Sequence, residues 1–209
     1  MEEINIKQKK LQPVIIGISG SPRNKNTDYM LKTMLDATGF DYEIIFLREK
    51  SIKPCTACGG CYFTHECIVK DDMQELYNKL SKSDIIVFAS PTYFANVTSL
   101  MKIFFDRCLP LFLSEKLKDK KAVLLTVGNF RKGEVKFLDN FDIEKSMKSS
   151  AGKEELSKTI KRCLNIMNFF CASHMGMKVI GSMYVIDGNP ELKIKDLIKL
   201  GKKIKNEHF

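Results

Sequence analysis

Short apolar runs recur along the chain and predict the strands of a buried sheet. They are rich in β-branched residues and do not alternate cleanly between apolar and polar positions, which is typical of strands covered on both faces. There are five such runs: Pro13–Ser19, Tyr42–Leu47, Asp84–Ala89, Lys121–Val127 and Lys178–Ile186. The pattern therefore predicts five strands within one core.

Stretches with helical spacing lie between these runs. Apolar residues recur every three or four positions in Val97–Phe112 and in Glu154–Cys171, as on the inner face of a helix. Further helices are predicted over Thr27–Ala37, over Asp71–Leu80 with Asp71 as N-cap and Gln74 three positions on, and from Asn189-Pro190-Glu191 onward. Strand and helix alternate five times, which predicts an α/β fold with one parallel sheet and helices on both faces.

Two polar stretches interrupt this alternation. Residues 54–68 form a cysteine-rich loop insertion after the second strand, and residues 128–152 are predicted as a second loop insertion after the fourth strand. Residues 1–12 are predicted as a polar N-terminal extension. A length of 209 residues suits one domain, so we expect a single domain over residues 1–209.

Charge and hydropathy narrow the possible partners. The chain has no apolar run near the roughly 18 residues of a membrane span and no apolar stretch typical of a signal peptide, so we expect a cytoplasmic protein without a membrane partner. The net charge is +9, and residues 145–209 hold 13 Lys and Arg against 6 Asp and Glu. Solvated helix faces and a docking surface for an acidic partner are both consistent with this excess. Nucleic acid is not expected, because no basic arm or nucleic-acid motif is present.

The first strand is followed by a loop of small and hydroxyl residues that could bind a phosphate. Gly17-Ile-Ser-Gly-Ser-Pro-Arg-Asn-Lys-Asn-Thr-Asp28 leads into a helix near Asn26 and Thr27, where backbone N–H groups carry partial positive charge. The spacing fits neither the dinucleotide fingerprint nor the P-loop, which favours a monophosphate. An ordinary Gly/Ser turn that caps a helix is the alternative.

This loop resembles the FMN phosphate loop of the flavodoxin-like NADPH-dependent FMN reductase superfamily. A second match, Ser90–Arg107, resembles the P-x-Y-[FW]…K-x-F-x-D-R stretch that lies beside the isoalloxazine ring in that superfamily. The resemblance implies a flavodoxin-like, five-stranded parallel sheet in the order 2-1-3-4-5. It also implies FMN-binding residues: Ser19, Ser21, Arg23, Asn26 and Thr27 around the phosphate, Pro91, Thr92, Tyr93, Phe94 and Asn96 at the ring, and Thr126 and Gly128 at its edge.

The aromatic and charged residues of the second match can also be interpreted from the chemistry of their side chains. Tyr93 and Phe94 offer flat apolar faces that could stack on a flavin, and packing in the core is the alternative. Asp106 and Arg107 are expected to form a structural ion pair.

Four cysteines fall within one short segment, Cys55-x-x-Cys58-x-x-Cys61-x5-Cys67. The first three are evenly spaced, with two glycines that let the backbone wrap tightly, and the fourth returns after a longer arm. Four thiolates suit a [4Fe–4S] cluster. Structural zinc, which usually takes two separated C-x-x-C knuckles, and a loop without any metal are the alternatives.

The remaining cysteines and a nearby histidine are expected to be unrelated to this motif. Cys108, Cys163 and Cys171 fall on apolar helix stripes and are predicted to pack in the core. His65 lies within the cysteine loop and is expected to be exposed rather than to replace a ligand.

Together, the two flavin motifs and the cysteine motif are similar to those of archaeal and bacterial iron–sulfur flavoproteins. This resemblance implies FMN and a [4Fe–4S] cluster in a homodimer or homotetramer. It also implies electron transfer from a ferredoxin-type donor or NAD(P)H to an acceptor, with no catalytic side chains because the cofactors carry the chemistry. The alternatives are a cluster-free NAD(P)H-dependent FMN or quinone reductase and a non-catalytic flavin- or metal-binding module.

Overall fold

Five parallel strands form the central sheet of the computed structural model, which describes residues 12–128, 150–186 and 188–206. The strands are β1 (Ile15–Ser19), β2 (Tyr42–Phe46), β3 (Ile85–Pro91), β4 (Lys121–Val127) and β5 (Lys178–Val185). Their order is β2-β1-β3-β4-β5, and all four neighbouring pairs run parallel. The predicted strands, their direction and their order are confirmed.

Helices follow the strands along the chain. Those in the described part of the chain are α1 (Asn26–Asp36), α2 (Cys61–Thr64), α3 (Met73–Lys82), α4 (Ser99–Asp106), α5 (Leu109–Leu113), α6 (Ser150–Asn168) and α7 (Ile194–Asn206). A π-helical turn, Phe169–His174, extends α6, and a 3₁₀ turn, Pro190–Lys193, precedes α7. None of these helices is both long enough and apolar enough to cross a lipid bilayer.

Each face of the sheet carries its own hydrophobic core, because successive strand residues point to opposite faces. Ile15 and Ile85 pack with buried residues of α1 and α7 on one face. Ile16 and Ile86 pack with buried residues of α3, α4 and α6 on the other. The prediction of helices on both faces is therefore confirmed.

The predicted helix over Val97–Phe112 is wrong, because the structure divides it into α4 and α5. Pro110 lies in the first turn of α5 and has no N–H to donate to the carbonyl of Asp106, four residues earlier. The helix α4 ends at Asp106, and the side chain of its C-cap residue Arg107 turns into the interior, where it is buried. The break therefore has both a backbone cause and a side-chain cause.

The predicted insertions are only partly covered by the structure. Residues 1–11 and 129–149 lie outside the described residues, so most of the N-terminal extension and of the 128–152 insertion stays a prediction. Residues 150–152 belong to α6, so the predicted C-terminal bound of that insertion lies too far along the chain. Residues 54–68 are described, and they contain the single turn of α2.

Candidate functional site

The loops after β1 and β3 meet at the carboxyl edge of the sheet, where the strand order reverses. Ligands of open α/β sheets bind at this kind of edge. Thr98 joins the two loops, because its hydroxyl donates to the Gly20 carbonyl at 2.6 Å and its backbone N–H donates to Ser90 Oγ at 3.2 Å. The two predicted FMN motifs are thus brought together by buried hydrogen bonds.

Thr98 also begins α4, since its Oγ1 accepts a hydrogen bond from the Met101 N–H at 3.2 Å. Gly20 packs so closely under this helix that an added Cβ would lie 2.9 Å from Met101 Cβ. The sequence analysis missed Thr98, although a threonine directly before an apolar helical run is a typical N-cap. Starting the predicted helix at Val97 concealed that signal.

Three predicted phosphate residues gather at the start of α1. No side chain caps this helix, and the first N–H groups of any helix have no acceptor within it. Arg23 is exposed there, Asn26 is half-buried and Thr27 is buried. Asn26 Nδ2 donates to the Gly188 carbonyl at 2.5 Å, which fastens the loop after β5 to the same edge. This helix start suits an anion.

The two predicted phosphate serines point elsewhere. Ser19 is buried and donates its hydroxyl to Asp28 Oδ1 at 2.5 Å. The Ser21 hydroxyl donates to the Arg23 carbonyl at 2.7 Å and accepts the Arg23 N–H at 3.2 Å. We therefore expect both serines to shape the loop from inside rather than to donate to a phosphate.

A partly buried ion pair supports this loop on its inner side. Arg48 Nη1 lies 2.7 Å from Asp28 Oδ2, and the guanidinium sits over the Phe46 ring at 4.3 Å from its centroid. The pair joins the start of α1 to the turn after β2, from which the chain continues into the cysteine loop. No local pattern reveals this pair, since its partners are 20 residues apart.

The loop after β3, which carries the second FMN motif, contains a strained and exposed hairpin. Tyr93 and Asn96 exchange backbone hydrogen bonds at 2.9 Å, which places Phe94 and Ala95 in the left-handed region with φ of 48° and 60°. That conformation costs a residue other than glycine about 1–2 kcal/mol. Phe94 is fully exposed and Tyr93 is also exposed, so the core-packing alternative for both is wrong. Strain combined with exposed aromatic surface is typical of a ligand-binding loop.

Residues at the ends of β3 and β4 form the floor beside this hairpin. Pro91 is buried, and Thr92 Oγ1 lies 3.0 Å from Thr126 Oγ1. The Thr126 hydroxyl donates to Cys163 Sγ at 3.4 Å. Burial raises the pKa of the Cys163 thiol, with these hydroxyls opposing the shift. The prediction that Cys163 packs in the core is confirmed, and it has a polar partner there.

Gly128 is needed for packing at this edge. Its N–H donates to the Val185 carbonyl at 2.9 Å, and an added Cβ would lie 2.5 Å from side-chain atoms of Ile160 in α6. Gly128 and Thr126 are both buried, so we expect them to support the ring site rather than to form its surface.

The four clustered cysteines are free thiols on an open loop. Cys55 and Cys58 are exposed, and Cys61 and Cys67 are half-buried. Burial raises the pKa of the Cys61 thiol, and the other three thiols raise it further. Among residues 12–128, 150–186 and 188–206, no three His, Cys, Asp or Glu side chains are gathered closely enough to hold a metal ion. The donor set fits a four-thiolate cluster, although the thiols do not converge on one centre.

Two glycines shape this loop as predicted. Gly59 has φ of 76°, and an added Cβ at Gly60 would lie 2.9 Å from a methyl carbon of Ile68. His65 is exposed, as expected. The close approach of Gly60 to Ile68 brings the segment of Cys61 alongside that of Cys67.

The base of the cysteine loop rests on a buried ion pair between Arg107 and Asp71, in which Arg107 Nη1 lies 2.6 Å from Asp71 Oδ2. Burial raises the pKa of the Asp71 carboxyl, but hydrogen bonds from Arg107 and two backbone N–H groups hold it below its ordinary value. The predicted Asp106–Arg107 pair is therefore wrong. Asp106 is exposed and pairs with Lys102 at 2.5 Å, because α4 ends between the two residues.

The prediction of Asp71 as the N-cap of α3 is wrong by one residue, because the helix begins at Met73 and Asp72 occupies the N-cap position. Asp71 Oδ1 accepts the Met73 N–H at 3.1 Å, so Asp71 does bond to the first turn. Gln74 instead donates to the carbonyls of Val69 at 2.8 Å and Cys67 at 3.3 Å. Its side chain thus holds the end of the cysteine loop.

Aromatic surface is exposed beside the cysteine loop. Tyr62 and Phe63 lie on α2, and Phe63 is 89% exposed. Phe112 and Phe169 are also exposed, with His174 against both rings. Cys108 and Cys171 are fully buried, as predicted.

Known proteins resemble this chain most clearly in its first two thirds. A family model described as NADPH-dependent FMN reductase matches residues 13–139. An iron-sulfur flavoprotein of Archaeoglobus fulgidus is 43% identical over 110 residues, which cover 50% of each protein. An iron-sulfur flavoprotein of Methanosarcina thermophila is 36% identical over 124 residues, which cover 57% of this chain and 65% of that protein. The chain thus spans about half to two thirds of these relatives' lengths.

Solved structures share the fold at low sequence identity. An NAD(P)H:quinone oxidoreductase from Methanothermobacter marburgensis superimposes with a TM-score of 0.62 at 15% identity, over 93% of this chain and 96% of that one. A flavodoxin from the domain Archaea gives 0.53 at 14% identity, over 93% and 97%. The fold is therefore flavodoxin-like, as expected.

Proposed function

This chain belongs to the NADPH-dependent FMN reductase family, and from that premise we propose that it is an FMN-dependent electron-transfer oxidoreductase. The observation that carries the proposal is the pairing of an uncapped helix start with a strained aromatic hairpin at one edge of the sheet. The first suits a phosphate, and the second offers a flat apolar surface for a ring. Thr98 holds the two loops together.

Within this site, the residues divide by their positions. Arg23, Asn26 and Thr27 would bind the phosphate, while Tyr93 and Phe94 would cover the ring. The other predicted residues would support these from below or complete the rim: Ser19, Ser21, Pro91, Thr92, Asn96, Thr126 and Gly128. No side chain is assigned as an acid or a base, because the flavin itself accepts and releases the electrons when bound.

We further propose that Cys55, Cys58, Cys61 and Cys67 hold a [4Fe–4S] cluster. Two observations support this: the four cysteines are free thiols within one loop, and relatives that share 36–43% identity are named iron-sulfur flavoproteins. A cluster passes single electrons, so beside FMN it would let the protein exchange electrons with one-electron partners.

We also propose partners for the electron transfer. A ferredoxin-type donor or NAD(P)H would supply the electrons, in the cytoplasm and without nucleic acid or membrane. Lys199 and Lys202 are exposed on α7, but the neighbouring Lys203 Nζ lies 3.2 Å from the Ile180 carbonyl near the start of β5. This end of α7 therefore lies away from the carboxyl edge of the sheet where the two FMN motifs meet, which we call the flavin edge. Exposed Tyr62 and Phe63 support a homodimer or homotetramer, since large exposed apolar surface usually marks an interface.

A cluster-free NAD(P)H-dependent FMN or quinone reductase is the second candidate. Two observations favour it. The matching family model is described as NADPH-dependent FMN reductase, and the four thiols of the described cysteine loop do not converge on one centre.

Cofactor content tests the proposal. Protein purified without oxygen should hold about one FMN and about four iron and four sulfide atoms per chain. FMN without iron would support the second candidate. Zinc would make the cysteine loop a structural metal site, and the absence of both flavin and metal would contradict the whole proposal.

A further inference from the structure

The ion pair between Arg107 and Asp71 is the most deeply buried pair of charges among the described residues, and the function proposed so far does not use it. Their side chains are only 1% and 3% exposed, and the residues are 36 positions apart. Stability alone does not explain such a pair, because well-packed apolar residues stabilise a core equally well or better. Its other bonds indicate what it does.

Both ends of the cysteine loop are bonded to this pair. Arg107 Nη1 donates to the Lys53 carbonyl at 2.7 Å, and Nη2 donates to the Val69 carbonyl at 3.3 Å. Asp71 Oδ2 accepts the Lys53 N–H at 2.9 Å. Lys53 and Val69 flank all four clustered cysteines, so the pair closes the base of the loop.

Neighbouring side chains hold Arg107 and the end of the loop in place. Tyr77 donates its hydroxyl to the Arg107 carbonyl at 2.6 Å, and Gln74 donates to the carbonyls of Cys67 and Val69. Arg107 Nε is buried and has no hydrogen-bond partner in the described part of the chain. A guanidinium with a spare donor thus lies at the base of the loop that holds the four thiols.

We propose that Asp71 and Arg107 are positioning residues that close the cysteine loop at its base and keep its four thiols within reach of one cluster. The inference rests on the cluster in the proposed function. Groups that orient metal ligands typically contribute 10–100-fold to metal affinity, so the pair should be visible in the kinetics of iron loss.

The main variant replaces both charges with apolar side chains of similar size, Asp71→Leu with Arg107→Met. This change removes the bonds to Lys53 and Val69 without leaving an unpaired buried charge. We expect FMN content and melting temperature to stay close to those of the wild type, while iron loss to a chelator becomes about 10–100-fold faster. Arg107→Lys should lie between the two, because lysine keeps the charge but cannot form the bidentate contact.

The matched control is the exposed ion pair on α4, Lys102→Met with Asp106→Asn, which should lose iron at the wild-type rate. Wild-type iron loss in the Asp71→Leu, Arg107→Met protein would overturn the proposal. If that protein does not fold, Arg107→Lys decides by the same assay.

Hydrogen exchange at the Lys53 amide in metal-free protein tests the anchoring role of the ion pair separately from the proposed cluster. Faster exchange in Arg107→Lys than in the control supports closure of the loop base even if the wild type holds no iron. In that case the proposal of a cluster would be rejected, and the anchoring role of the ion pair would stand. Equal exchange in the two proteins would reject the anchoring role itself.

Discussion

The flavin edge and the cysteine loop each follow the carboxyl end of a strand, yet they are built in different ways. At the flavin edge, a buried hydrogen bond from Thr98 joins the two loops, and a partly buried ion pair at Asp28 supports the first of them. The cysteine loop has one helical turn, exposed side chains and bonds chiefly at its base. The difference teaches that the proposed flavin site would be formed in advance, whereas the thiols would be drawn together by the metal, as is common where binding and folding are coupled.

The largest expected effect comes from the loop cysteines. Alanine at Cys58 should abolish most bound iron and leave FMN in place, because the cluster would lose a ligand that lies outside the flavin edge. Alanine at Cys108, buried in the core, should instead cost about 1 kcal/mol of unfolding free energy and keep the iron. Iron and flavin analysis with urea denaturation measures both, and equal iron loss in the two variants would contradict the loop as the source of ligands.

A smaller effect is expected at the phosphate end of the flavin edge. Asn26→Ala with Thr27→Val should weaken FMN binding by about 100-fold or more, because two hydrogen bonds to a charged group are lost and each is worth about 1.5–3 kcal/mol. Titration of the flavin-free protein, followed by flavin fluorescence, gives the affinity. Asn24→Ala, an exposed change in the same loop, is the control and should bind FMN normally. Unchanged affinity in the double variant, with the fold intact by circular dichroism, would remove the phosphate assignment.

Backbone strain can be compared directly between the hairpin at the flavin edge and the cysteine loop. Ala95 in the flavin hairpin and Ala57 in the cysteine loop both have positive φ, 60° and 52°. Ala95→Gly should raise the unfolding free energy by about 0.5–1 kcal/mol, since glycine adopts this conformation without steric cost. Ala57→Gly should raise it less, because an open loop can relax locally without global unfolding. Chemical denaturation of metal-free protein measures both, and a larger gain at Ala57 would reverse the comparison.

The smallest effect is expected for the basic face of α7, which lies away from the flavin edge. Lys202→Glu should slow reduction by ferredoxin a fewfold at most, through association rather than turnover, and the rate should fall as salt rises. Stopped-flow reduction of the flavin with ferredoxin and with NADPH, each over a salt series, gives these rates. A fast NADPH reaction beside a slow, salt-insensitive ferredoxin reaction would favour the cluster-free reductase.

Local pattern was enough to predict most of the fold. The apolar runs located all five strands, and Lys121–Val127 was predicted to the residue. The single helix over Val97–Phe112 failed, because its apolar spacing continues through a break that Pro110 and Arg107 impose. Periodicity reports which face is buried, and it does not report where the backbone hydrogen bonds stop.

Features that a single segment forms alone could be predicted, whereas contacts between distant segments could not. The helix start at Asn26 and the exposed aromatic pair at Tyr93 follow from short motifs. The hydrogen bond from Ser19 to Asp28 and the bonds of Arg107 to Asp71 and Lys53 depend on side-chain direction and on contacts across the chain. Sequence spacing carries neither kind of information. The residues proposed to bind FMN could therefore not be separated from those proposed to support them on the basis of sequence alone.

The visible spectrum of protein purified without oxygen, recorded before and after reduction by dithionite, tests the central claim most directly. We expect flavin bands over a broad absorption, both bleached by the reductant, because FMN and a [4Fe–4S] cluster would occupy the two regions together. Flavin bands alone, in protein that remains fully folded, would contradict the cluster and leave the cysteine loop without its proposed role.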